Sequence, residues 1–209
     1  AHAIKTPVTV ITNATERAQQ GALGQTQLVD VIQQQLQTLQ STVDWRLRRA
    51  RLTAPVSGMP RRQSPIAPLL QQLIAVMQKL YGHRGIEFEL RMPDPKITFA
   101  GESQDLLEML GNLLDNAAKW ARHHVRIEIN AKEGGLKITV DDDGPGIETK
   151  QMSTVLKRGA RLDERVHGSG LGLAIVSDLT ELYGGSLNLA ASPIGGLSVS
   201  IHLPVKALV

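Results

Sequence analysis

The sequence contains no cysteine, which excludes a disulfide framework, a cysteine-based zinc site and thiol redox chemistry. Only 3% of its 209 residues are aromatic, so its cores must be built from Leu, Ile, Val and Ala. No apolar run reaches about 18 residues and no export leader opens the chain, so we expect no direct membrane contact in this stretch. The length predicts two modest domains.

The charge is only slightly positive, at +3 with histidine neutral, although arginines cluster in one part of the chain. A nucleic-acid partner is not expected, because the cluster lacks interleaved aromatic side chains and any groove-reading motif. Basic residues near a helix C-terminus are favoured by the helix dipole alone. The clustered residues are Arg46, Arg48, Arg49, Arg51, Arg61 and Arg62.

Residues 1–54 carry apolar or small side chains at steps of four and three, the spacing of one helix face. The pattern runs over residues 4–18, breaks at 21–24 and resumes over 28–47. We therefore predict an antiparallel helical hairpin. Two narrow apolar stripes cannot enclose a core, so a second copy is expected to complete a four-helix bundle in a homodimer.

Residues 55–65 have the proline and glycine content of a linker, and residues 66–209 form a second domain in which the periods mix. Strands and helices do not alternate regularly, which favours an α+β fold. Helices are predicted at about 66–81, 102–122 and 171–183, and strands at about 86–92, 97–100, 125–131, 136–140, 186–191 and 197–203.

The first chemical motif is NLLDNAAK at residues 112–119, inside a predicted helix. Asn112, Asn116 and Lys119 fall on one side of that helix, because residues three and four apart are neighbours. Amide oxygens suit a hard cation, and a lysine supplies a point charge for phosphate. Alone, the motif could equally be a polar face without a role.

The second motif is DDDGPGI at residues 141–147, at the exit of a predicted strand. Glycines at 144 and 146 let the backbone turn tightly against a ligand. A buried Asp142 can accept a hydrogen bond from an exocyclic amine. Read alone, three consecutive carboxylates would more often be a solvated turn or a metal loop.

The third motif is GSGLG at residues 168–172, a glycine loop that runs directly into a helix. Backbone amides at a helix N-terminus carry partial positive charge and bind phosphate readily. Leu173 occupies the place of the third glycine of G-x-G-x-x-G, and no G-x-x-x-x-G-K-[ST] occurs, so this is neither common nucleotide loop.

In this order and spacing the three motifs resemble the N box and two glycine boxes of the GHKL (Bergerat) ATPase fold, an α/β sandwich shared by histidine kinases, gyrase, Hsp90 and MutL. The resemblance covers residues 66–204. It implies ATP and Mg²⁺ as cofactors, a metal ligand at Asn116, an adenine contact at Asp142, and a mobile lid over 147–168. The further nucleotide contacts that it implies are Asn112, Lys119, Gly144, Gly146, Arg158, Gly168, Gly170, Leu171 and Gly172.

A fourth motif, AHAIKTPV, opens the chain. Pro7 removes an amide donor from a helix close to His2, whose neutral imidazole is a competent nucleophile. A lone terminal histidine usually has no role, but beside a hairpin and an ATPase domain the segment resembles the H box of sensor histidine kinases. The H-x-x-K-T-P form, with Lys5 and Thr6, is similar to that of PhoQ-type sensors. An acidic residue commonly follows the histidine, and Ala3 stands there.

The resemblance implies the cytoplasmic core of an inner-membrane sensor kinase, which phosphorylates His2 and passes the phosphoryl group to the receiver domain of a response regulator. Phosphatase activity through Thr6 is expected, although Thr6 could instead bond a backbone carbonyl. The alternative function is a degenerate GHKL module that binds nucleotide without transfer, consistent with Ala3 and with a lid that lacks phenylalanine. A gyrase-type clamp is disfavoured, because the chain ends almost at its last predicted strand.

Overall fold

The computed structural model describes residues 2–53, 63–132, 135–155 and 171–204. Contacts between Cα atoms divide the chain into two compact units, Ala1–Val56 and Ser57–Val209. The first unit is helical, whereas the second combines helices with strands, and the predicted α+β class is therefore confirmed.

The first unit consists of two helices joined by a short turn, as the apolar period predicted. The two helices pack against one another. Pro7 lies inside the first helix, and Gly21 in the turn adopts a left-handed φ of 72°, which favours glycine. The helices are α1 (His2–Gln19) and α2 (Gln25–Thr53).

The second unit contains a five-stranded mixed sheet, a separate two-stranded sheet, four helices and a 3₁₀ turn at Gly82–Arg84 among its described residues. The helices are α3 (Ile66–Tyr81), α4 (Ser103–Trp120), α5 (Thr149–Val155) and α6 (Gly172–Leu182). The strands are β1 (Gln63–Pro65), β2 (Glu87–Arg91), β3 (Thr98–Ala100), β4 (His124–Lys132), β5 (Gly135–Asp142), β6 (Ser186–Ala191) and β7 (Leu197–Leu203).

The large sheet has the strand order β2-β4-β5-β7-β6. Only the β2–β4 pairing is parallel, and α4 lies in the connection that this pairing requires. Alternate residues of β4, β5 and β7 are buried against α4 and α6, which gives the two layers of an α/β sandwich. The fully buried side chains include Ile127, Ile129, Ile138, Ile201, Leu106, Leu110 and Leu114.

One boundary differs from its prediction. The proline and glycine content predicts a linker as far as residue 65, but Gln63–Pro65 forms β1, which pairs antiparallel with β3. The Ser64 hydroxyl is buried and donates to the carbonyl of Gly101 at 2.8 Å. Three residues without apolar alternation carry no strand pattern, and their pairing depends on contacts about 37 residues away.

Candidate nucleotide-binding site

Helix α4 carries the residues of the first motif on one face. Four of its five Leu side chains are buried in the core, whereas Asn112, Asn116 and Lys119 are half-buried. The Asn112 amide nitrogen donates to the carbonyl of Glu108 at 2.8 Å, which fixes the orientation of the amide. A Cβ atom at Gly172 would lie 3.1 Å from Asn112 Oδ1, so the first and third motifs meet at the start of α6.

Lys119 is already paired within its own helix. Its Nζ lies 2.5 Å from Oδ2 of Asp115, one turn earlier. The other carboxylate oxygen, Oδ1, accepts a hydrogen bond of 2.6 Å from the hydroxyl of Tyr81 at the end of α3. Burial, followed by this hydrogen bond, raises the pKa of Tyr81 well above its ordinary range, so the phenol stays protonated and donates. The three side chains form a chain from α3 to the site face of α4.

Arg84 holds the C-terminal end of α4. Its guanidinium donates to the carbonyls of Ala118 at 2.8 Å, Lys119 at 3.0 Å and Ala121 at 2.8 Å. A helix end leaves carbonyl groups unpaired, and a cation there also complements the helix dipole. The last turn of α4, which presents Lys119, is therefore fixed by a residue from outside the motif.

Asp142 ends β5 and points toward the helical layer, with 2% of its surface exposed. Its Oδ1 accepts hydrogen bonds from the backbone N–H of Gly144 at 2.9 Å and of Leu197 at 3.2 Å. Burial raises its pKa above the ordinary 3.8, and these two bonds offset the effect only in part. Among the described residues, no donor reaches Oδ2, so this carboxylate has capacity for a ligand that donates a hydrogen bond.

The other two aspartates of the run serve different purposes. Asp143 accepts bonds from the backbone N–H groups of Arg122 at 2.7 Å and His123 at 3.0 Å. Burial alone would raise its pKa, but these backbone donors hold the pKa below its ordinary value. Asp141 faces the opposite side of the sheet and is buried, and its Oδ1 has no partner within the described ranges. Only Asp142 contributes to the candidate pocket.

Glycines keep the backbone close around Asp142. A Cβ atom at Gly144 would lie 2.4 Å from the carbonyl oxygen of Trp120, and one at Gly196 would lie 2.0 Å from Asp142 Oδ1. Gly146 adopts a left-handed φ of 70°. The sequence motif predicted Gly144 and Gly146 but missed Gly196, whose contact with Asp142 spans more than 50 residues of chain.

Several predicted residues cannot be placed by side chain. Arg158, Gly168 and Gly170 lie outside the described residues, as does the side chain of His2, although α1 begins at His2. Leu171 is buried immediately before α6, and Gly172 is its first residue. Lys5 and Thr6 are exposed on α1. Within the described ranges, no group of acidic and histidine side chains has metal-site geometry, and no helix is long and apolar enough to cross a bilayer.

Residues 101–207, about half of the chain, match the family described as "Histidine kinase-, DNA gyrase B-, and HSP90-like ATPase". The chain belongs to this family. The matched region contains all three motifs and the glycines that surround Asp142. The fold that the motifs predicted, a helical hairpin followed by a GHKL-type ATPase domain, is confirmed.

Named relatives of this ATPase-family chain are sensor kinases. It is 41% identical over 205 residues to the sensor protein kinase CarS of Pseudomonas aeruginosa. That match covers 98% of this chain and 45% of CarS. It is 32% identical over 200 residues to the virulence sensor histidine kinase PhoQ of Salmonella typhimurium, and that match covers 96% of this chain and 41% of PhoQ. The chain thus spans less than half the length of these relatives. The predicted resemblance to sensor histidine kinases, including PhoQ, is confirmed.

A solved structure extends the similarity to both units. Full-length ShkA, crystallised in complex with AMPPNP, is 26% identical with a TM-score of 0.64, and the match covers 87% of this chain and 39% of ShkA.

Four contributors to the site were missed by sequence reasoning: Tyr81, Arg84, Asp115 and Gly196. Asp115 lies inside the first motif and could have been noticed from its spacing of four to Lys119, the spacing of a helical ion pair. The other three reach the site from distant parts of the chain and have no local signal.

Proposed function

We propose that this chain is the dimerisation and catalytic core of a sensor histidine kinase that uses Mg²⁺-ATP to phosphorylate its own His2. The observation that carries the proposal is the set of contacts around Asp142. A buried carboxylate with a raised pKa, one oxygen of which accepts no hydrogen bond from a described residue, is costly for the fold, and it suits a ligand that brings its own hydrogen-bond donor. Membership of the ATPase family and the sensor-kinase relatives support the same function.

In this proposal the exocyclic amine of adenine donates to Asp142, against the backbone of Gly144 and Gly146. The phosphates extend toward the start of α6, where a Cβ atom on Gly172 would contact the Asn112 side chain. Lys119 supplies positive charge there. Arg158, Gly168 and Gly170 remain proposed contacts, supported by the family resemblance.

Asn116 is the proposed Mg²⁺ ligand. Mg²⁺ binds oxygen, retains several waters and usually takes one or two protein ligands together with substrate phosphates. A half-buried neutral amide next to Asn112, at the phosphate end of the pocket, fits that requirement. When bound, the ion would neutralise charge on the phosphates during transfer.

The proposed reaction joins an imidazole nitrogen of His2 to the γ-phosphorus as the bond from that phosphorus to the bridging oxygen breaks and ADP leaves. Positioning and charge neutralisation account for most of the rate in such transfers. The phosphoryl group then passes to an aspartate in the receiver domain of a response regulator, docked beside Lys5 and Thr6. We further propose that the core acts as a homodimer on the cytoplasmic side of an inner membrane.

The experiment is incubation with γ-labelled ATP, followed by acid and base treatment of the protein. We expect label that is acid-labile and base-stable, as for phosphohistidine, and none in His2→Gln, which should bind ATP like the parent. Label that persists in His2→Gln would identify another acceptor and contradict the proposal. ATP binding without any label in the parent would favour a degenerate switch module, an outcome that Ala3 in place of the usual acid keeps open.

A further inference from the structure

Two tyrosine hydroxyls bond to aspartates of α4, one near each end of the helix. Tyr183, at the end of α6, donates to Oδ2 of Asp105 at 2.7 Å. Tyr81, at the end of α3, donates to Oδ1 of Asp115 at 2.6 Å. The chemistry and the length of the two bonds are nearly the same, but their surroundings differ.

The Tyr183–Asp105 pair belongs to the core. Both residues are 6% exposed, and the Tyr183 ring packs edge-on against Phe99 with centroids 4.7 Å apart. The same hydroxyl also accepts a bond from the backbone N–H of Glu102 at the start of α4. These contacts lie about two turns from Asn112 and do not include the nucleotide motifs.

The Tyr81–Asp115 pair continues into the candidate site. The second oxygen of Asp115 is bound by the ammonium of Lys119, and both of these side chains are about one-third exposed, at 38% and 31%. A lysine side chain has four rotatable bonds and much rotamer entropy to lose when it meets a phosphate. A carboxylate fixed on its other oxygen removes part of that freedom before the ligand arrives.

This arrangement has opposite effects on affinity and on rate. A carboxylate close to the phosphates repels them and competes for the ammonium, so it weakens ATP binding. The same carboxylate holds the ammonium in one place, which favours a transfer that depends on positioning. An element that served stability alone would shift binding and rate in the same direction.

We propose that Asp115 is a positioning residue for Lys119 in phosphoryl transfer, and that Tyr81 fixes Asp115 in turn. The inference rests on the proposed kinase function and assigns the end of α3 a part in it. Asp115 raises the rate of transfer to His2 while lowering the affinity for ATP.

The test uses the whole chain and measures ATP affinity by direct titration, the rate of His2 labelling at saturating ATP, and thermal unfolding. Asp115→Asn keeps an oxygen for the Tyr81 hydroxyl but removes the charge. We expect it to bind ATP about threefold more tightly, a small factor because the ion pair is partly exposed. The labelling rate at saturating ATP should fall about tenfold.

Two further variants locate the effect. Tyr81→Phe keeps the ring and the charge of Asp115, so the rate should fall less than in Asp115→Asn while ATP affinity stays at the parent value. Tyr183→Phe is the matched control, because it deletes a similar hydroxyl from the other end of α4. It should lower the melting temperature without changing affinity or rate.

A double-mutant cycle tests whether the rate effect passes through Lys119. Lys119→Met should slow labelling, and adding Asp115→Asn to it should slow labelling no further. Additive losses would overturn the proposal, as would an Asp115→Asn variant whose affinity is unchanged or weaker. A parent protein that binds no ATP would overturn this proposal and the proposed function together. If the parent binds ATP and labels His2, the proposed function holds, and the Asp115 variants then test this proposal alone.

Discussion

The two units of the molecule are stabilised to very different extents by their own side chains. In the second unit, helices and a sheet bury a continuous core that includes Phe99, Leu110 and Ile138, all fully inaccessible to solvent. In the hairpin unit, the buried apolar side chains among those described are only Pro7 and Ala14, and Ala14 is still 7% exposed. Its larger apolar side chains stay partly exposed: Val8, Val10, Val29, Leu36 and Val43.

This difference indicates which unit the proposed second copy would cover. A domain that removes its apolar surface from water can fold as a monomer, whereas a two-helix hairpin with exposed valines and leucines gains too little from burial. In the proposed reaction the two units therefore have different requirements. The second unit can bind a nucleotide as a single folded domain, whereas the hairpin would present His2 from a bundle of two copies.

The largest effect is expected from a charge on the apolar face of the hairpin. Leu36→Asp, at a side chain that is 48% exposed in the single chain, should abolish dimerisation, because the carboxylate would be buried in the bundle. Light scattering after gel filtration would report the mass. The matched control is Leu80→Asp on α3, where the leucine is 58% exposed and the dimer should persist.

If both variants remain dimeric, the dimer does not form through the hairpin. If both become monomeric, α3 contributes an interface of its own, and the contrast between the two units is wrong.

The next largest effect is expected at the buried Asp142 carboxylate of the second unit. Asp142→Asn retains the oxygen that accepts from Gly144 and Leu197 but places an amide donor where adenine would donate. ATP binding should be lost, while the free domain gains about 1 kcal/mol, as often occurs when a strained functional residue is replaced. Calorimetry of the ATP-free protein and nucleotide titration measure the two effects.

The gain should depend on pH in a defined direction. The folded-state pKa of Asp142 is raised above 3.8, so the ionised carboxylate destabilises the fold at neutral pH, and protonation relieves this cost as the pH falls through the raised value. The stability difference between variant and parent should therefore be largest at neutral pH and vanish in acid. A variant less stable than the parent at neutral pH would contradict the account of a costly carboxylate.

The smallest expected effect concerns one activity of the hairpin. Thr6 lies one helical turn after His2, and its hydroxyl is proposed to orient the water that hydrolyses a phosphorylated regulator. Thr6→Ala should label His2 at the parent rate but leave the regulator phosphorylated about tenfold longer in the presence of ADP. The decay of the labelled regulator is the measurement.

Thr9→Ala is the control. The Thr9 hydroxyl donates to the carbonyl of Lys5 at 3.0 Å, and Thr12 and Thr15 make the same contact one turn back. If Thr6→Ala behaves like Thr9→Ala, Thr6 has only this structural role.

Features that depend on short stretches of sequence could be predicted. The apolar period predicted both hairpin helices. The helices α3, α4 and α6 were predicted to within a few residues, because their buried residues recur every three or four positions. The strand β1 was missed, since its stability comes from the Ser64 hydroxyl bonding at Gly101 and from pairing with β3. The sequence of three residues does not indicate a bonding partner that lies 37 positions away.

The same limit applies to the candidate site. The spacing in residues 141–147 pointed to Asp142, and its burial agrees with that choice, although its ligand remains a proposal. Leu197, whose N–H bonds Asp142, lies 55 residues away, and Arg84 reaches the end of α4 from 34 to 37 residues away. Such contacts are set by the folded topology, so only the structure could place them.

The two tyrosine–aspartate bonds also bear on the local opening of the fold. Because they tie both ends of α4 to α3 and α6, the amide protons of α4 can exchange with solvent only when those neighbouring helix ends separate as well. Exchange in α4 should therefore follow the opening of the whole sandwich, whereas the seven residues of α5, with no such bond at either end within the described residues, should exchange through independent fluctuations. The face of α4 that carries Asn112 and Lys119, the proposed phosphate side of the site, would then change less than α5 while a nucleotide enters and leaves.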